Sequence, residues 1–311
     1  MKLSRIILVV ALSLTTCSVF AQKPTSPVKR LPEIREIVEK KPAKRPKALM
    51  KQEKELVGNF CRIPGVTVTT DTSKEVTPSY YMLECEVMNK SYGRFLEDLK
   101  AQGRTADYEV AKIHNESGEP FFYSFDEQTG TSYNKKYTQS SDYGLFPVVN
   151  VSYEGAQLFC QWLTEKLGNG EWEYRLPTEW EWKWAAHDGS MFHTYALTGP
   201  YITNGNGKAP YNYYKVGDEC ITRTDSGFQV LTFDESAILH YNFPMISLSW
   251  YPSYNYHLYN MCGNVAEMVA EKGVAFGGSY DDPGYDIRID SKQTYGEYSP
   301  KVGFRVIAVR K

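Results

Sequence analysis

Phe146 to Ala186, FPVVNVSYEGAQLFCQWLTEKLGNGEWEYRLPTEWEWKWAA, carries two helix signatures in succession. Val148, Val149 and Val151 form a short apolar run. Ser152 follows where an N-cap belongs, its hydroxyl able to accept from an orphan backbone N–H. Ala156, Phe159, Cys160, Leu163 and Leu167 recur at i, i+3, i+4, i+7 and i+11, one face of a helix that ends at Gly168. Further on, Thr178 stands three residues before Glu181 and just after Pro177, the spacing of a capping box. Trp182, Ala185 and Ala186 give this second helix its buried side.

Outward from this stretch, Phe60 to Gly65 and a Thr-rich run to Thr72 predict strands, as does Tyr80 to Val87. Asn89 is placed to cap a helix that turns Tyr92, Phe95, Leu96 and Leu99 to one side. Ala101 to Gly144 is polar and aperiodic, which predicts loops with one or two short strands. Gly189 to Leu248 is again rich in Tyr, Asn, Gly and Thr, as function-bearing loops are. The chain is therefore read as α+β, with two main helices, short strands and much loop.

The 311 residues carry a net charge of −2, which gives no ground for nucleic-acid binding. Charge is unevenly spread: residues 22–57 hold eleven Lys and Arg against five Glu. With five prolines and few apolar residues, that stretch reads as a basic tether with transient helical turns. Residues 1–21 read as a secretory signal, with Lys2 and Arg5 ahead of an apolar Ile6 to Leu14 and a small-residue cleavage site at Val19-Phe20-Ala21. The apolar run is too short to span a bilayer. Leu14-Thr15-Thr16-Cys17 offers a competing reading, a lipid anchor on Cys17. The organisation expected is a signal at 1–21, a linker at 22–57 and one globular domain at 58–311. Cleavage after Ala21 leaves Cys61, Cys85, Cys160, Cys220 and Cys262, an odd number with no CxxC pair. Cys85 and Cys160 read as small buried hydrophobes.

Five blocks in order carry a resemblance: SYYMLECEVMNKSYGRFL, PVVNVSYEGAQLFCQWL, YRLPTEWEWKWAA, LYNMCGNVAEMV with FGGSYDD, and VGFRVIAV. Together they resemble the formylglycine-generating enzyme, or sulfatase-modifying factor, domain family over roughly Cys61 to Val309. The resemblance implies a variant of the C-type-lectin fold. It also implies, for enzymes of the family, a cysteine pair between the GGS and GFR blocks that binds copper and oxidises a substrate cysteine with O₂, soft sulfur selecting Cu(I). Here Ser279 to Val302 contains no cysteine. Counted without gaps from GGS, the two positions fall on Asp282 and Ile287, which cannot form a two-coordinate thiolate site, so copper is not expected. Cys160 matches a family disulfide position whose partner is Val306 here, so that bridge is not expected either. The iron-dependent ergothioneine branch carries a HxxxHxE pattern that His114, His187, His193, His240 and His257 do not make.

Two sets of residues could carry chemistry. Asn260 and Glu267 side-chain oxygens, with the Gly263 and Val265 carbonyls, are hard donors suited to Ca²⁺, and the resemblance places a family calcium site on these four positions. It places a second site around Asn212 and Tyr213, where no acidic partner follows. Asp282, Asp286 and Arg288, beside Asp281, could bind a cation or act in acid–base chemistry. The 24 tyrosines, several clustered at 251–259 and 280–298, offer broad contact surface for sugar rings or a partner protein. The reading that follows is an exported binding or structural module in the periplasm or at the surface of a bacterium. A protein or glycan of the envelope is the expected partner, and members of gliding and secretion machinery look similar. The alternative is an oxidoreductase-type enzyme using the same cleft without cysteines.

Overall fold

The structure, a computed structural model, describes residues 33–37, 45–69, 74–114, 123–126, 131–134, 137, 143–214, 221–224, 227–230, 244–245, 247–248 and 252–311. The stretch read as an export signal, Cys17 and Cys220 lie outside the described residues.

Ser152 caps as the sequence indicates, accepting from Gly155 N at 3.0 Å. Thr178 and Glu181 exchange both bonds of the capping box. The helices are α1 (Lys47–Leu56), α2 (Asn89–Ala101), α3 (Thr105–Ala111), α4 (Tyr153–Leu167) and α5 (Glu179–Ala186). The strands are β1 (Glu33–Glu36), β2 (Phe60–Ile63), β3 (Val66–Thr69), β4 (Lys74–Thr77), β5 (Tyr80–Leu83), β6 (Tyr123–Asp126), β7 (Thr131–Asn134) and β8 (Trp172–Arg175). They continue with β9 (Ile221–Thr224), β10 (Gly227–Val230), β11 (Ala266–Met268), β12 (Val274–Phe276), β13 (Gln293–Thr294), β14 (Val302–Phe304) and β15 (Ile307–Arg310).

Two four-stranded sheets organise the body. One runs β2-β5-β15-β8, all antiparallel, and so brings the C-terminal strand between two early ones. The other runs β13-β12-β11-β14, with β11 and β14 parallel. A three-stranded sheet β1-β3-β4 and two hairpins complete the set. The α2 and α4 faces interlock through Tyr92, Phe95, Phe159 and Phe304, whose rings pack 5.3–6.0 Å apart, mostly edge to face. Around α5 a second apolar cluster gathers Trp182, Trp184, Phe276, Met82 and Ile307. Strand β8 is an edge, and Thr164 of α4 covers it by bonding both Tyr174 N and Tyr174 O.

Three expectations change. Asn89 is the first helical residue of α2 rather than its cap: Met88 holds the cap position and Asn89 Nδ2 donates to Tyr143 O instead. Residues 105–111 form a helix inside a segment read as loop and strand. The basic stretch is more than a tether, because it holds β1 and α1, and Leu49, Glu53 and Val57 are buried. The two charged residues of that stretch that are buried, Arg45 and Glu53, neutralise one another against the sheet, while Lys47, Lys51 and Lys54 stay exposed.

A buried polar node at the Asn260–Glu267 turn

The turn that ends in β11 is built from residues that tolerate left-handed backbone. Asn260, Gly263 and Asn264 have φ of 54°, 76° and 67°, conformations open to Gly and, among other residues, best to Asn. A side chain at Gly263 would also collide with the Asn212 carbonyl. This backbone is what delivers Asn264 and Glu267 into the interior, where they are 1% and 0% exposed.

Glu267 sits opposite Gly303 in the parallel pair of β11 and β14, which brings Arg305 alongside it. The guanidinium grips the carboxylate twice, Nη2 to Oε1 at 2.6 Å and Nε to Oε2 at 2.9 Å. Trp182 Nε1 donates to Oε2 at 2.7 Å. Arg305 further donates to Leu83 O at 3.0 Å and Tyr259 O at 2.6 Å. Glu86 stands on the far side of the turn. It accepts from Asn264 Nδ2 at 2.8 Å and from Asn260 Nδ2 at 3.2 Å. Asn264 Oδ1 in turn accepts from Met245 N and Asn212 Nδ2. The two loops in which the sequence suggested separate calcium sites are thus stitched to each other at Asn212 and Asn264. Tyr213 instead lies with its ring against Gly284.

Two buried carboxylates face one guanidinium here, so one negative charge is in excess. A proton on Glu86 or a bound cation balances it. Burial is the main cause that pushes Glu86 up to about 8, with Glu267 adding to the rise and Arg305 and the Asn264 bond opposing it. A bound cation would answer that surplus, and Asn260, Gly263 and Val265 lie on the same turn; among the described residues, however, no three His, Cys, Asp or Glu side chains converge as they would around a metal. Glu267, the carboxylate of the set, is shared with Arg305. Glu86 escaped sequence reading because it lies some 180 residues from its partners, within a stretch read only as strand; a charged residue flanked by Cys85 and Val87 was the available signal.

The second set of residues is held mainly by contacts within its own loop. Asp282 Oδ2 accepts from Ser279 N at 2.8 Å and Ser279 Oγ at 2.6 Å, closing its own turn. Asp281 pairs with Lys301. Asp286 is pushed up by burial, then by Asp282, while Arg288 and Ser291 oppose the rise. Arg288 Nε donates to Tyr285 O at 2.8 Å, and its guanidinium carbon lies 3.4 Å from the Tyr285 ring centroid. Ile287 is fully buried, and it fills the space that a side chain on Gly278 would need. Tyr285 remains 66% exposed and Tyr201 71%. Elsewhere, a groove of about 460 Å³ between α4 and β8 is lined by Tyr153, Gln157, Cys160, Arg175, Ala270 and Lys311, among others, and includes none of these candidates. Cys61, Cys85, Cys160 and Cys262 are free thiols. Among the described residues no helix is long and apolar enough to cross a membrane.

The sulfatase-modifying factor enzyme 1-like domain model matches residues 46–310. Among solved structures, the crystal structure of CarF is similar over 80% of this chain and 97% of its own, at 18% identity and a TM-score of 0.51. PvdO from Pseudomonas aeruginosa aligns over 77% of this chain and 83% of its own, at 19% identity and a TM-score of 0.48. Variable protein 1 of Treponema denticola aligns over 81% and 95%, at 17% identity and a TM-score of 0.48. No curated protein matches the chain.

Proposed function

The chain belongs to the sulfatase-modifying factor enzyme 1-like domain family, and we propose that it is an exported, non-catalytic member that binds a partner at the bacterial envelope. The observation that carries this reading is Ile287. An ungapped count from the GGS block puts it at one of the two positions that the resemblance gives to copper-binding cysteines, and its aliphatic side chain is fully buried against Gly278. The other, Asp282, is tied into its own turn by Ser279. Neither offers a soft ligand.

Binding is assigned to an exposed aromatic rim made of Tyr285, on the segment between these positions, and Tyr201, whose neighbour Ile202 lies against Gly284. Tyr285, with Arg288 stacked on it, and Tyr201 present large rings with polar handles, the chemistry that anchors protein and glycan contacts. The turn of Asn260, Gly263, Val265 and Glu267 is assigned a structural calcium ion, which supplies the positive charge that the buried carboxylates lack.

The test uses the mature chain loaded with Cu(I) and offered a cysteine-containing peptide in air. Little tight copper binding and no oxygen consumption are expected. Stoichiometric copper together with oxygen uptake overturns the reading in favour of an oxidase. In parallel, the chain should sediment with isolated envelope fractions, and Tyr285→Ala with Arg288→Ala should reduce the bound fraction. Unchanged binding removes the rim from the proposal.

A further inference from the structure

Arg45 lies in a cage. Its guanidinium carbon is 4.9 Å from the ring centroid of Phe60, 4.8 Å from that of Tyr81 and 4.8 Å from that of Trp172. All three distances are within the range at which a ring face attracts a cation. Arg45 is 7% exposed. Glu53 pairs with it, and the Tyr174 hydroxyl accepts from Arg45 Nη2 at 3.1 Å while donating to Glu53. Arg45 Nε and Nη1 are buried without a hydrogen-bond partner among the described residues, so ring faces rather than acceptors enclose that side of the guanidinium.

Cage and cation come from different parts of the chain. Phe60, Tyr81, Trp172 and Tyr174 stand on β2, β5 and β8 of one sheet. They brace each other edge to face, Phe60 on Tyr174 at 5.6 Å and Tyr81 on Trp172 at 5.7 Å. Arg45 and Glu53 arrive together on the segment that includes α1. Within that helix only Leu49 and Glu53 are buried, and Val57 follows just beyond it, so the caged charge adds to a small apolar area in holding the segment. An apolar side chain would fill the same space without the cost of desolvating an ion. The arrangement therefore has the form of recognition rather than of plain packing.

We propose that the Phe60–Tyr81–Trp172–Tyr174 cage is a guanidinium-binding site. Arg45 is its built-in ligand, docking segment 45–57 onto the domain, and the cage accepts an arginine side chain of a basic polypeptide when that segment is released. The site is independent of the copper, calcium and rim assignments above.

The experiment compares the full chain with Arg45→Ala and Arg45→Lys. A Lys-specific endoproteinase cuts at Lys47, Lys51 and Lys54, and ethylguanidinium serves as the probe. Arg45→Ala is expected to be cut in α1 about tenfold faster than the native chain. It should bind ethylguanidinium saturably, read by tryptophan fluorescence, and the added probe should slow the cutting. The native chain, its cage already filled, should not respond. Adding Trp172→Leu to Arg45→Ala should abolish the response. Arg45→Lys keeps a cation in place, and so the fold, and should be cut at a rate between the other two. Equal cutting of all three chains overturns the proposal, as does a folded Arg45→Ala chain that shows no saturable response to the probe.

Discussion

Arg305 donates four hydrogen bonds that no smaller group could make together, holding two strands, a loop and the Glu267 carboxylate in one plane of donors. Both partners are essentially unexposed. Removing one leaves the other charged and buried, which typically costs about 3–5 kcal/mol, whereas removing both costs less than the sum. Glu267→Gln and Arg305→Met should therefore each lower the urea midpoint sharply, and the double variant should fall by less than the two losses added. Additive losses would mean that the pair is not coupled. His187 is the residue to read by pH. It is 2% exposed, its Nδ1 lacks a hydrogen-bond partner among the described residues, and burial holds it below the usual histidine range against the opposing pull of Asp290. The unfolded chain takes up its proton near about 6.5 while the folded chain resists it. His187 thus leaves stability unchanged above that pH and lowers it as pH falls below, by at most about 1.4 kcal/mol per pH unit. His187→Gln should flatten the difference between denaturation curves at pH 7.5 and 5.5. A slope that survives the substitution assigns it to other groups.

Among the elements, those with strong local signals were the ones legible from sequence. The faces and caps of α4 and α5 needed no distant information, because the hydroxyls of Ser152 and Thr178 bond within three residues of themselves. Thr178→Ala should cost about 1 kcal/mol, the usual worth of such a cap, in a urea titration. A loss within error would show that Arg175, which also holds Glu181 through two bonds, suffices to fix the helix start. Elsewhere local reading failed because distant partners decide. Asn89 looks like a cap, but the Tyr143 carbonyl takes its amide. The α1 segment looks too charged to fold, yet the sheet supplies an aromatic enclosure for Arg45 and a hydroxyl for Glu53. Seven-residue α3 has one buried residue, Ala111, too little pattern to read as a helix.

Across the whole molecule, the block order fixed the family from sequence, and the match over residues 46–310 agrees with it. The polar node was legible only in part. Asn260, Gly263, Val265 and Glu267 lie within eight residues and form a recognisable turn, whereas Glu86, Trp182 and Arg305 reach it from three other regions of the chain. Two carboxylates, Glu86 and Glu267, thus meet one guanidinium, and that surplus motivates calcium. An ion bound only by the folded chain stabilises it by about 2.7 kcal/mol at a hundred times its Kd. For a domain of this size each kcal/mol moves Tm by roughly 2–4 °C. The mature chain purified without chelator should carry about one calcium per molecule, and EDTA should lower its Tm by several degrees. Asn260→Ala should have the lower Tm already and respond little to EDTA, because it removes a side-chain oxygen donor while leaving Glu267 with Arg305. Iron or copper in place of calcium would move the chain back towards oxidase chemistry. A metal-free chain with an EDTA-insensitive Tm would leave a proton on Glu86 as the balancing charge, and the turn would then rest on its hydrogen bonds to Glu86, Trp182 and Arg305.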